Sequence, residues 1–153
     1  MMSQYLNVID SFHGEYRFLS NFYPAPVVYE QVRYATVEHA YQAQKTLNSK
    51  ERLEIARCMS PSKAKRKGCR VKLRADWESN KVRIMTELVQ LKFDCHADLQ
   101  DKLLATGTCR LIEGNTWNDQ FWGVCQGVGK NWLGKILMKV RSELARSVPQ
   151  QNS

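Results

Sequence analysis

The sequence predicts an α+β fold: a single compact domain, mostly helical with a small antiparallel sheet. Three observations predict it. Apolar residues recur at helical spacing in one segment after another, most of them opened by a capping residue or closed by glycine. Period-two alternation is confined to short stretches, chiefly "VVYEQVRY" at 27–34. The strand–helix–strand rhythm of a doubly wound sheet is missing. With 153 residues, 43% hydrophobic and 10% aromatic, the chain suits one globular domain with a real core. The expected boundaries are a lead-in at 1–11, the domain at 12–146 and a frayed tail at 147–153.

The elements follow in chain order. "VVYEQVRY" predicts a hairpin turning at Glu30-Gln31, without the glycine such a turn favours. "TVEHAYQAQK", 36–45, predicts a helix capped by Thr36 with Glu38 in its first turn. At 100° per residue, Glu38, Gln42 and Lys45 fall within about 60° of one another with Tyr41 beside them, and Ala40, Ala43 and Leu47 lie opposite. "SKERLEIARCM" predicts a second helix capped by Ser49, and "SPSKAKRKG" a short basic one opened by Ser-Pro and closed by Gly68. Asp76 caps a longer helix carrying Val82, Met85 and Val89 toward Phe93. "HADLQDKLLATG" is a helix stopped by Gly107, and "CRLIE" is a strand. Asn131 opens the last helix, whose buried stripe is Leu133, Ile136, Leu137, Val140 and Leu144.

Composition removes several function classes. The five cysteines at 58, 69, 95, 109 and 125 are scattered without a CxxC pair, so neither a disulfide framework nor a structural zinc site is expected, and reduced, packed thiols are. His13, His39 and His96 do not form HExxH, so no metal is expected either. No apolar run reaches membrane length and the N-terminus lacks a basic then greasy leader, which predicts a cytoplasmic protein without a membrane partner. The formal charge of +8 favours anionic partners, and "KAKRKGCRVKLR" at 63–74 concentrates seven Lys or Arg with no acid. That run reads either as a solvated basic face or as a contact for phosphates, of a nucleotide or of nucleic acid.

The loop "GVCQGVGK", 123–130, misses the phosphate-loop count and has Asn131 where Ser or Thr is required. Gly123, Gly127 and Gly129 leading into a capped helix still let backbone N–H groups approach an anion, or simply make a tight loop. Before it, "NTWNDQFWG" sets Asp119 between Trp117 and Trp122, an arrangement suited to stacking a base beside a sugar-phosphate and equally to anchoring a core.

Taken together, "FHGEYRFLSNFYP", "TVEHAYQAQK", the Trp in "ADWES", "KF" at 92–93, "LLATG", "LIE", "NDQFWG" and "GKNWLGKILMKVR" stand in the order of the NADAR (YbiA-like) family, which the chain resembles over roughly residues 12 to 144. Ala35, Glu30-Gln31 and the Val and Cys of "GVCQGVG" depart from the usual pattern. The resemblance implies an N-glycosidase acting on ribosylated or ADP-ribosylated heterocycles, with no cofactor. One implied substrate is ADP-ribosylated guanine in nucleic acid or nucleotides, from which ADP-ribose is released. The other is the reactive early intermediates of riboflavin biosynthesis. A silent module binding ADP-ribose or nucleic acid is the alternative of a different class. By position in the motifs, the resemblance makes Glu38 and Lys45 the principal catalytic residues, with Asp119 also in the site. It makes Asn21, Gln42, Trp77, Trp122, Gly123, Gly127, Gly129 and Asn131 the ligand-binding set.

These residue types suit that chemistry. Breaking a C1–N bond takes a proton for the leaving base and stabilisation of positive charge at C1. Glu38 can deliver the proton or position water. Lys45 can attack C1 as a neutral amine or hold the ligand as a cation. At the reference pKa only about one lysine in 2,500 is neutral at pH 7, so attack requires a lowered pKa.

Overall fold

A computed structural model describes residues 7–147. The expected α+β class holds: six helices and three short strand pairs lie among the described residues, with helix in the majority. The tail expected to fray falls, beyond residue 147, outside them. The chain divides into two units, Asn21–His96 and the described parts of Met1–Ser20 with Ala97–Ser153.

The Asn21–His96 unit opens with the antiparallel hairpin of β2 (Val27–Tyr29) and β3 (Val32–Tyr34), for which β1 (Val8–Ile9) in the other unit leaves the numbering. Val27 pairs with Tyr34 and Tyr29 with Val32. Glu30 (φ 48°) and Gln31 (φ 69°) both adopt left-handed backbone, as a two-residue turn matching the strand twist requires. Without glycine this is strained, and Arg52 Nη1 donates to Glu30 Oε2 at 2.8 Å across the turn. The helix α1 (Val37–Ala43) starts where expected, because Thr36 Oγ1 accepts the His39 N–H at 3.1 Å. It ends earlier than its polar pattern suggests. Lys45 therefore lies just past the helix, and Leu47, expected on a buried face, is 67% exposed.

Next come α2 (Ser49–Ala56) and α3 (Pro61–Gly68). The cap of α2 is Asn48, one residue before the expected Ser49, because its amide oxygen takes the Glu51 N–H at 3.0 Å. The basic helix α3 begins as expected, with Ser60 Oγ accepting from Lys63 N at 3.1 Å and Pro61 in the first turn. Asp76 stands at the expected N-cap of α4 (Trp77–Cys95) but makes no side-chain cap. Its carboxylate is held by Arg74 at 2.6 and 2.9 Å instead. Ile84, Met85, Leu88, Val89 and Phe93 of α4 form the buried stripe of this unit with Val27, Tyr34, Ala40, Ala43 and Ile55.

In the second unit β1, within the expected lead-in, pairs in parallel with β4 (Arg110–Leu111), the core of the expected "CRLIE" strand. A 3-10 turn covers Gly14–Leu19. The helix α5 (Ala97–Ala105) stops before Gly107, whose φ of +61° closes it without side-chain strain. β5 (Gly114–Asn115) and β6 (Val124–Cys125) pair in parallel ahead of α6 (Trp132–Ser147). On α6, Leu133, Ile136, Leu137 and Val140 are buried and Leu144 partly so.

Among the cysteines only Cys125 is buried; Cys69 and Cys95 are exposed, contrary to the packed thiols expected, and all five are free. No helix among the described residues is long and apolar enough to cross a membrane.

Candidate active site

The helix α1 is buried on every side, from Val37 to Ala43. A wet polar face is thereby excluded for "VEHAYQA", since Glu38 is 7% exposed and Gln42 2%. Three tethers hold the helix. The Glu38 N–H donates to the Asn21 carbonyl at 3.1 Å, fixing its first turn. His39 is satisfied at both ring nitrogens, by Thr36 Oγ1 at 2.8 Å and the Cys58 carbonyl at 3.0 Å. Gln42 packs on Gly68 of α3, where the missing side chain makes room for its amide.

The expected polar cluster is assembled within this unit. Gln42 Nε2 donates to Glu38 Oε1 at 2.8 Å. The other Gln42 amide atom, Oε1, is buried without a donor among the described residues. Such an orphan acceptor costs roughly 1–3 kcal/mol unless a ligand or water takes it. Lys45 is half-buried, and its ammonium stands 5.7 Å from the Tyr41 ring centroid. Burial pushes its pKa below the ordinary lysine value. Cys69 and Glu38 oppose that shift, while Lys65 and Lys81 add to it.

The remaining expected residues of this unit are more enclosed. Trp77 is 4% exposed, with its ring 5.1 Å from that of Tyr41. The Asn21 amide donates to Met85 Sδ at 3.5 Å. Lys92 is a buried cation that the sequence reading quoted within "KF" but gave no role. It is 1% exposed, 5.4 and 5.7 Å from the Phe93 and Tyr23 ring centroids, and burial lowers its pKa to about 7. Its spacing was a signal, since Met85, Val89 and Lys92 continue one helix face.

The basic run forms a cleft of about 390 Å³ lined by Lys63, Arg66, Lys67, Arg70, Val71, Glu51 and Cys58. Lys63, Arg66 and Lys67 share one side of α3 at helical spacing, with Arg70 just past its end, while Ala64 and Gly68 are buried on the other side. Lys67 is partly neutralised by Glu54 at 3.2 Å.

Asp119, Trp122, Gly123, Gly127, Gly129 and Asn131 belong to the other unit. Asp119 Oδ1 accepts the N–H groups of Phe121 and Trp122 at 3.1 and 2.9 Å, and its own N–H donates to Asn115 Oδ1. Trp122 meets Phe121 edge to face at 4.8 Å. Gly123 and Gly129 are needed for close approach, because a Cβ on either would overlap backbone. Asn131, in left-handed backbone at φ 54°, does not cap α6 with its side chain. Its amide bridges Glu113 N–H at 3.0 Å and the Leu111 carbonyl at 2.9 Å, tying the loop to β4. No group of three His, Cys, Asp or Glu able to hold a metal occurs among the described residues.

A model of the NADAR domain matches residues 10–145, across both units. The chain belongs to the NADAR family. Among relatives of this NADAR protein, N-glycosidase YbiA of Escherichia coli (strain K12) is 44% identical over 134 residues, 86% of this chain and 83% of that one. The solved NMR structure of E. coli YbiA superposes with a TM-score of 0.81 at 36% identity, covering 98% of this chain and 96% of that one. The lower identity accompanies the wider coverage. A maize protein, chloroplastic riboflavin biosynthesis protein PYRR of Zea mays, is 39% identical over 127 residues, which are 74% of this chain and 20% of that one.

Proposed function

We propose that this NADAR protein is a cytoplasmic N-glycosidase that hydrolyses the C1–N bond of ADP-ribosylated guanine, in nucleic acid or as a nucleotide, and releases ADP-ribose. The observation that carries the reading is the end of α1, where the buried carboxylate of Glu38, the Gln42 amide that holds it and, just past the helix, a half-buried lysine with a lowered pKa stand together. A solvated surface helix needs none of these, and each has a task in glycosyl cleavage.

In the proposed reaction the C1–N electron pair leaves with the base, which takes a proton from Glu38 directly or through water. Lys45 bonds to C1 as a neutral amine and the ribose opens to an imine. Water then adds at C1 and returns the lysine, so the net change is one water consumed, one base and one ADP-ribose formed. Gln42 holds Glu38 through its N–H group, while its Oε1 is packed against Gly68. Asn21 and Trp77 are the further ligand-binding residues proposed in this unit, and Trp122, Gly123, Gly127, Gly129 and Asn131 those proposed in the other. The basic cleft on α3 suits the phosphates of a polymer-borne substrate.

A second reading has its own support, since the maize relative is named as a riboflavin biosynthesis protein. In it the same residues cleave reactive intermediates of that synthesis. The deciding experiment incubates the protein with an oligonucleotide carrying ADP-ribosylated guanine and, separately, with the pyrimidine intermediates. Release of ADP-ribose from the first at the higher kcat/KM is expected. Turnover confined to the pyrimidines would replace the first reading by the second, and binding without turnover of either would leave a silent module.

A further inference from the structure

The unit holding the glycine loop contains a cavity of about 540 Å³ whose lining includes Asp10, Ser11, His13, Thr116, Trp117 and Gln126. From this cavity we infer a second ligand site, for a planar heterocycle bearing amino or ring N–H donors, stacked on Trp117 and held at its edge by Asp10 and Gln126.

Trp117 is 54% exposed, and its indole has no ring partner among the described residues. A large exposed ring beside a cavity of ligand size is a surface on which a planar ligand can stack. Around it, the side chains of Asp10, Ser11, His13, Thr116 and Gln126 make no hydrogen bond to other described residues. Asn115, in the same wall, shows the contrast: its amide is spent on the Asp119 carbonyl and N–H. The open polar groups are therefore available to a ligand, while the one used structurally holds the wall.

Backbone strain is collected at the same place. Asn118 and Gln126 take left-handed φ values of 62° and 50° without being glycine, and one follows Trp117 while the other lines the cavity. Such conformations cost of order 1–3 kcal/mol each. The wall opposite is equally defined, because Gly114 lies so close to the Asp10 carbonyl that a Cβ there would overlap it.

The lining also selects the ligand's chemistry. It contains no Lys or Arg, so a phosphate is not what it holds. Its one carboxylate, Asp10, is an acceptor with two oxygens, matched by the adjacent amino and ring N–H groups of a purine such as guanine. The aromatic face tolerates any base, and the carboxylate supplies the preference.

The test is equilibrium dialysis of labelled guanosine, with thymidine as the comparison. Wild-type protein should bind guanosine saturably and more tightly than thymidine. Trp117→Ala should weaken binding about 10-fold or more, as loss of a stacking partner does. Asp10→Asn should narrow the difference between the nucleosides. Both positions are exposed, so the fold should survive. Guanosine binding unaltered in both variants, or no saturation in the wild type, would overturn the site. Failure of the N-glycosidase reading would show separately, as absence of turnover in the wild type whatever the dialysis reports.

Discussion

Gln42 on α1 lies directly on Gly68 of α3: a Cβ at residue 68 would overlap Gln42 Oε1 and stand 2.9 Å from Gln42 Cβ. The glycine thus ends the basic helix and also makes space for the amide that holds Glu38. Gly68→Ala should displace Gln42 rather than merely crowd it, because the near contact includes a Cβ that cannot rotate away. The expected loss is about 1–3 kcal/mol of stability in urea unfolding, together with a fall in kcat/KM. Unchanged stability would mean that α1 and α3 part more easily than their packing implies.

Lys92 gives stability a pH dependence of definite sign. Its pKa is lowered to about 7 in the folded chain, while the unfolded chain keeps an ordinary lysine. Between those values the unfolded state binds more protons, so raising the pH favours folding; below pH 7 the cost of the buried charge is present in full. From pH 7 to 9 the wild type should gain roughly 2 kcal/mol relative to Lys92→Met. Urea unfolding at the two pH values measures it, and a constant difference between the proteins would refute the lowered pKa.

Much of this arrangement was legible in the sequence, and the parts that were not have particular causes. Thr36, Ser60 and Pro61 announced their helices because capping is local chemistry. The hairpin at Glu30-Gln31 was legible from alternation despite the missing glycine. Asn48 was passed over for Ser49 because both residue types cap well and only geometry separates them. Asp76 and Asn131 marked the right positions, but partners distant or adjacent (Arg74, Glu113, Leu111) had taken their side chains. The polar pattern of "TVEHAYQAQK" extended to Leu47, whereas the helix stops at Ala43 and leaves Leu47 in solvent. In the site, Glu38, Gln42 and Lys45 were readable from their spacing; the burial that lowers the lysine's pKa depends on neighbours brought in by α3 and α4, which no local pattern records.

Asp119 allows its charge to be separated from its hydrogen bonds. Oδ1 already accepts two backbone N–H groups, a task that an asparagine oxygen can keep. Asp119→Asn should therefore retain thermal stability within about 1 kcal/mol while losing turnover by at least about 10-fold if the carboxylate serves the reaction. Asp119→Ala should lose both. Wild-type kcat in Asp119→Asn would reduce this residue to a loop staple.

The cleft on α3 should make activity depend on salt. If Lys63, Arg66, Lys67 and Arg70 follow a nucleic acid backbone, kcat/KM on an ADP-ribosylated oligonucleotide should fall steeply as salt rises. On a free ADP-ribosylated nucleotide it should fall less, since fewer counterions are displaced. Reversing Lys63, Arg66 and Arg70 to Glu should bring the two salt curves together; curves parallel from the outset would deny the cleft any polymer.

Lys45 decides the mechanism. If its amine bonds to C1, an imine exists during turnover, and borohydride should reduce it to a stable adduct. Intact mass should rise by the reduced ribosyl group, and peptide mapping should place that mass on Lys45. Its lowered pKa adds a second signature, because the neutral amine is populated at lower pH than in a free lysine. The rising limb of kcat/KM against pH should accordingly lie below the ordinary lysine value of about 10.4. Lys45→Arg keeps the positive charge and cannot attack near neutral pH, since the guanidinium stays protonated. It should yield neither adduct nor product. A Lys45→Arg protein with wild-type turnover would exclude the imine and assign Lys45 to holding the ligand as a cation, with Glu38 and a water left to break the bond.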